Sequence, residues 1–179
     1  QAVESFEYAI ALKENFAVAW FNMANANASL GRFQEAINGY EAAIKHGLKE
    51  PLLWHNLGSA YEELGSIEEA IGSFSKAIDM DKNSYESFFS RGACYDSLGN
   101  YNAALLDYNS ALVLKNDNAD LWYAKGDALY NAGHPNESLD CYKAALALAP
   151  KDAECWHDYG LTLLELGIVD EAGEAFTRV

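Results

Sequence analysis

Trp20, Trp54, Phe88, Trp122 and Trp156 stand 34 residues apart along a chain of 179 residues, with no slip in the spacing. A fixed interval of this size argues against one central core. Each unit is too short to bury its own apolar face and must stack on its neighbours, which is the signature of a solenoid. Gly31, Gly65, Gly99, Gly133 and Gly167 repeat at the same interval. Each follows an apolar-periodic stretch, where a left-handed residue closes a helix. Every unit therefore reads as two helices joined by a tight turn.

Setting the phase by the rings gives complete units over 17–50, 51–84, 85–118 and 119–152, with a partial unit over 153–179. The spacing predicts first helices near 17–30, 51–64, 85–98, 119–132 and 153–166. Second helices are predicted near 34–46, 68–80, 101–114 and 135–148, and from about 169 onward. Pro51 and Pro135 sit at first helical positions, and Ser66 with Glu69 has capping-box spacing. Residues 1–16 have the phase of a second helix, with Ala2, Phe6 and Ala9 on its apolar stripe. Neither end carries a polar capping face, which predicts a piece of a longer array with self-association through its uncapped ends.

The small residues follow the same register. Gly58, Gly92, Gly126 and Gly160, with Ala24 in the first unit, lie four positions after each ring, where a missing side chain lets helices approach closely. The five 34-spaced rings are expected to fill the space between helices and to be mostly buried.

The segment Trp54-His55-Asn56-Leu57-Gly58-Ser59-Ala60-Tyr61, followed by Ala70 and Phe74, matches W-x2-L-G-x2-Y with A-x3-F after it. On these residues the whole chain resembles the tetratricopeptide repeat family. The resemblance implies an all-α, right-handed superhelical solenoid of antiparallel helix pairs, with the first helices lining a concave groove. It places Phe21, His55, Phe89, Tyr123 and His157 as a ladder of flat rings on that groove. Asn22 and Asn56 share the next row, with Asn25 one turn further on, and amides there suit the grip of a peptide backbone. Similar asparagine ladders occur in the arm preceding the catalytic domain of O-linked N-acetylglucosamine transferases, although the row here continues as Ser90, Ala124 and Asp158. The family's carboxylate clamp for chaperone C-termini needs lysines and an arginine, and those places hold Phe21, His55, Glu86, Ser90, Phe89, Asp120 and Tyr123.

The groove rows are instead acidic from the second unit on, at Glu62, Glu63, Glu86, Asp96, Asp120, Asp127, Glu154, Asp158 and Glu165. A partner carrying lysine or arginine would be steered to such a face. Across the chain 27 acids face 12 basic residues, for a net charge of −15. That balance repels phosphate backbones and anionic lipid, so neither nucleic acid nor membrane is an expected partner. No apolar run approaches the roughly 18 residues of a membrane span, and no basic-then-apolar leader opens the sequence. Cys94, Cys141 and Cys155 form no CxxC pair, and reduced thiols in a cytoplasmic setting fit them best.

Catalytic patterns are missing from the sequence. The histidines make no HExxH, no serine sits in GxSxG, and the glycines follow the fold period rather than a phosphate loop. The chain therefore reads as a non-enzyme with no metal and no cofactor. The favoured reading is a scaffold that binds a protein or peptide partner bearing basic residues, through Phe21, Asn22, Asn25, His55, Asn56, Phe89, Tyr123, Asp127, His157 and Asp158. The alternatives are a regulatory or substrate-recruiting arm of a larger enzyme and a self-assembling array.

Overall fold

A computed structural model describes residues 17–179. The helix expected over 1–16, with Ala2, Phe6 and Ala9, lies outside the described residues. The described chain contains α1 (Ala17–Ser29), α2 (Phe33–Lys45), α3 (Pro51–Glu63), α4 (Ile67–Met80) and α5 (Tyr85–Ser97). It continues with α6 (Tyr101–Leu114), α7 (Ala119–Asn131), α8 (Pro135–Leu148), α9 (Ala153–Glu165) and α10 (Val169–Phe176). No strand occurs among the described residues. The chain divides into two compact units at Ser87–Phe88, within α5.

Consecutive helices pack as hairpins. In the first unit α1 packs on α2 and α3 on α4, and in the second α7 packs on α8 and α9 on α10. The turn inside each hairpin is closed by a glycine with φ between +71° and +83°, at Gly31, Gly65, Gly99, Gly133 and Gly167. Only glycine takes that conformation without strain, so the caps set the 34-residue phase. Pro51 and Pro135 open α3 and α8 as predicted. Ser66 precedes α4 but its hydroxyl makes no cap bond, so the expected capping box is not formed. The side chains of Asn100, Asn118 and Asp152 do cap, accepting from backbone N–H groups of α6, α7 and α9.

The core differs from the expected one in a specific way. Trp20, Trp54, Phe88, Trp122 and Trp156 are all half-buried. The residue before each ring, Ala19, Leu53, Ser87, Leu121 or Cys155, is the fully buried one. One residue is a rotation of about 100° on a helix, which turns the preceding side chain inward and leaves the ring at the rim. There the indole N–H groups of Trp122 and Trp156 donate to the carbonyls of Asn116 and Pro150, both at 2.9 Å, in the loop ahead of each helix. Basic groups lie over the rings: Lys76 on Trp54, Lys125 on Trp122 and Arg178 on Trp156.

The buried rings belong to the second helices. Tyr40, Phe74, Tyr108 and Tyr142 are essentially inaccessible, again 34 residues apart. Phe74, Tyr108 and Tyr142 each pack against the glycine of their first helix, and a Cβ at Gly58, Gly92 or Gly126 would sit 2.7 Å from the Cε1 of the ring. Ala24 is the exception, and it is accommodated because Gly39 lies opposite, where a Cβ would come within 2.9 Å of the Ala24 methyl. Cys94, Cys141 and Cys155 are buried and lie outside any disulfide. No helix among the described residues is long and apolar enough to cross a membrane.

Candidate functional site

The ring ladder predicted on the first helices rests on the buried ladder of the second. Phe21 tilts against Tyr40 at 6.0 Å between centroids, His55 against Phe74 at 5.4 Å, and Phe89 against Tyr108 at 5.9 Å. Tyr123 and His157 meet Tyr142 and Phe176 in the same way, each at 6.0 Å. These rings are therefore packing groups with one open edge. His157 is the exposed member, and the other four are half-buried. His55 is further held by Ser87 Oγ at 3.0 Å. Its burial pushes the imidazole pKa down, with the nearby Glu86 carboxylate opposing that shift.

The amides form a cluster that the sequence rows did not anticipate. Asn56 Nδ2 donates to Asn25 Oδ1 at 3.0 Å, and Tyr40 Oη donates to the same oxygen at 2.8 Å. The neighbour of Asn56 is thus the residue 31 positions earlier, not Asn22, which is half-buried in the row beside it. Because Asn25 Oδ1 takes both donors, the Asn25 amino group and the Asn56 carbonyl are left facing a cleft of about 330 Å³ between α1 and α3.

An equivalent cleft of about 270 Å³ lies between α7 and α9, lined by Asp127, Tyr142 and Asp158. The three occupy the repeat positions of Asn25, Tyr40 and Asn56, with carboxylates in place of amides. Tyr142 Oη donates to Asp127 Oδ1 at 2.7 Å. Asp158 Oδ2 accepts from Tyr123 Oη at 2.6 Å, and Asp158 Oδ1 lies 3.1 Å from His157 Nδ1. Burial pushes the Asp127 carboxyl up to about 6. The Tyr142 hydrogen bond opposes that rise, and the charges of Asp158, Asp96 and Glu154 add to it. The Tyr123 and Tyr142 phenols are pushed well above their ordinary range, chiefly by burial and then by their bonds to these carboxylates.

Another cavity, of about 520 Å³, is lined by Trp122, Lys125 and Cys141 and touches none of the candidate site residues. Among the described residues no group of three or more His, Cys, Asp or Glu side chains converges as metal ligands do.

A sequence profile described as a tetratricopeptide repeat matches residues 1–48, 21–85 and 123–179, and a second, described as a TPR repeat, matches 95–133. The chain belongs to the tetratricopeptide repeat family. No curated protein sequence matches it. Among solved structures, MamA (residues 41 to the end) from Desulfovibrio magneticus RS-1 superposes with a TM-score of 0.86 at 20% identity, covering 90% of this chain and 92% of the other. Another MamA structure gives 0.84 at 23% identity, covering 87% and 91%. YrrB, described as a TPR protein with an unusual peptide-binding site, gives 0.84 at 22% identity, covering 98% and 91%. These likenesses show a shared all-α solenoid fold.

Within the family pattern one departure escaped the sequence reading. Leu57 of the signature is replaced by Arg91 in the third repeat, and its charge is met by Asp107. Nε and an Nη nitrogen of Arg91 each donate to a carboxylate oxygen at 2.7 Å, and Asp107 is buried. The only signal in the sequence was an Asp 16 residues after an Arg, the same separation that sets Gly92 against Tyr108.

Proposed function

We propose that this tetratricopeptide chain is a non-catalytic scaffold that holds a segment of a partner protein on the exposed face of its first helices. The observation that carries this reading is the recurrence of one cleft. Asn25, Tyr40 and Asn56 in the first unit and Asp127, Tyr142 and Asp158 in the second border open space with fixed hydrogen-bonding groups at the same repeat positions. Half-buried rings flank both clefts and offer flat apolar edges to a bound chain. The peptide-binding site ascribed to YrrB, a structure of the same fold, supports the same class of ligand. The acid bias of these rows favours a partner with basic side chains.

Fluorescence anisotropy with a library of labelled peptides tests this. Wild type is expected to retain a subset of peptides, and Asn56→Ala or Phe89→Ala to weaken them mainly through faster dissociation. If substitutions at outward positions of the second helices, such as Leu106→Ser, abolish binding while the first-helix variants do not, the site lies elsewhere.

A further inference from the structure

The outward stripe of α6 is unlike that of the other second helices. Leu106 and Val113 are 70% and 87% exposed, the two most exposed large apolar side chains among the described residues. They stand seven residues apart, so both point away from the side of the helix that buries Ala104, Tyr108 and Ala111. The exposed amides of Asn102 and Asn109 complete the stripe. At these places the 34-residue period puts two charged residues on each of α2, α4, α8 and α10, such as Asp140 and Lys143 on α8. Among the described second helices α6 alone carries no charge there. A single exposed leucine is ordinary, but a charge-free apolar stripe on a chain of net charge −15 is not.

The stripe is also symmetric. Leu106 and Val113 lie at equal distances on either side of the point between Asn109 and Ser110. A two-fold axis through that point, perpendicular to the helix, lays a second α6 antiparallel on the first and sets Leu106 of each copy against Val113 of the other. The antiparallel sense opposes the two helix dipoles. It also carries Lys115 and Asp117, an ion pair at 3.0 Å just past the end of α6, to the Asn102 end of the other copy. Two acidic chains repel at most approaches, and this stripe lets them meet without acid facing acid. On one flank, the cavity of about 520 Å³ lies between Leu105 and Asn109 of α6 and Glu137 and Ala144 of α8. A second helix laid on the stripe therefore has a groove beside it in which to seat side chains.

We infer that α6 is a self-association helix, through which two copies of this chain pair antiparallel with Leu106 of each against Val113 of the other. The surface belongs to the second helices and does not depend on the proposed binding face. The pairing closes at two copies, whereas stacking through the chain ends adds copies without limit.

Sedimentation equilibrium of the full chain from about 1 to about 200 µM tests this. The mass is expected to rise to that of a dimer and level off. The rise should come at lower concentration in moderate than in low salt, because screening weakens the repulsion between two acidic copies. Leu106→Glu and Val113→Lys each act twice in a two-fold pair and should each weaken dimerisation at least about tenfold. Both sites are exposed, and circular dichroism checks that the helix content is kept. An equimolar mixture of the two variants sets glutamate against lysine on one side of the axis and leaves a wild-type contact on the other. It should recover a dimer that neither variant forms alone. Val169→Glu, at an exposed apolar position of α10, is the control and should leave the dimer unchanged. A chain that stays monomeric throughout overturns the inference. So does a mass that climbs past two copies and falls with Val169→Glu but not with Leu106→Glu. A mixture that fails to recover the dimer lost in the single variants overturns it as well. None of these outcomes bears on peptide binding by the first helices, so the two proposals fail separately.

Discussion

The cleft at Asn25 and Asn56 and the cleft at Asp127 and Asp158 share one backbone plan, yet the first is neutral and the second is charged. In the first unit Tyr40 and Asn56 both donate to a single amide oxygen, and these bonds involve no ionised group. In the second, two tyrosine hydroxyls each donate to a carboxylate, and burial and neighbouring acids raise Asp127 toward neutrality. The second unit also buries an Arg91–Asp107 pair where the first has Leu57 and Ser73. The same fold thus holds a polar network whose stability is insensitive to pH in one place and sensitive in another. Asparagine is the isostere of aspartate, so exchanging them changes charge with little change in shape.

The largest effect should come from breaking the buried pair. Asp107→Ala leaves Arg91 without the carboxylate that accepts two of its donors, and is expected to lower unfolding free energy by about 3–5 kcal/mol in denaturant titrations. Ser73→Ala, at the same repeat position, should stay within about 1 kcal/mol because that hydroxyl bonds only its own helix, at Glu69 O. Comparable losses would erase the contrast between the units.

Removing the tyrosine hydroxyls tests the clefts themselves. Tyr142→Phe takes a donor from a carboxylate and should cost about 1.5–3 kcal/mol at pH 7.5, where Asp127 is ionised. Tyr40→Phe takes one from an amide and should cost about 0.5–1.5 kcal/mol. Phe74, which already stands at this position in the second repeat, shows that the ring alone is compatible with the fold.

Gly126→Ala places a methyl against the Tyr142 ring and should cost about 1–3 kcal/mol by overpacking. The first unit already carries an alanine there, Ala24, opposite Gly39. Adding Cys141→Gly, at the position of Gly39, is therefore expected to recover part of the loss, so that the double variant is less destabilised than the sum of the singles. Strict additivity would show that the Ala24–Gly39 pairing is not the reason Ala24 is accommodated.

The smallest effect is a slope. Asp127 holds its proton more tightly folded than unfolded, so between about pH 4 and about pH 6 the native state binds more protons. Stability from this residue is greatest below that window and falls as pH rises through it. Asp127→Asn should flatten the wild-type decline across pH 4–6 and leave the protein more stable than wild type at pH 7, as read from thermal midpoints. A variant with an unchanged pH profile would mean that the two clefts do not differ in the way described.

How much of this was legible beforehand depends on which interactions the period governs. The helix bounds and the glycine caps follow from a repeat that acts within one unit, and Gly31 through Gly167 mark every turn. The groove rows follow the period but do not name hydrogen-bond partners, because contact between neighbouring repeats depends on how helices cross. Asn56 bonds Asn25, 31 residues earlier, whereas Tyr123 bonds Asp158, 35 residues later. The inward-facing side also escaped the pattern. The tryptophans are the most conspicuous residues in the repeat, but the buried positions are held by smaller or less regular ones such as Leu53, Ser87 and Cys155. Arg91 breaks the signature outright, and only the structure shows Asp107 answering it.

The rim position of the tryptophans makes them optical reporters of a particular kind. Trp122 and Trp156 anchor the loops before α7 and α9 through their indole N–H groups and sit partly in water. Their emission therefore reports on the connections that lead into α7 and α9. Trp20 and Trp54 belong to the first unit and Trp122 and Trp156 to the second. Replacing one pair by phenylalanine leaves a fluorescence signal that belongs to the other unit alone, so that the order in which the two lose their structure can be read from a single emission band.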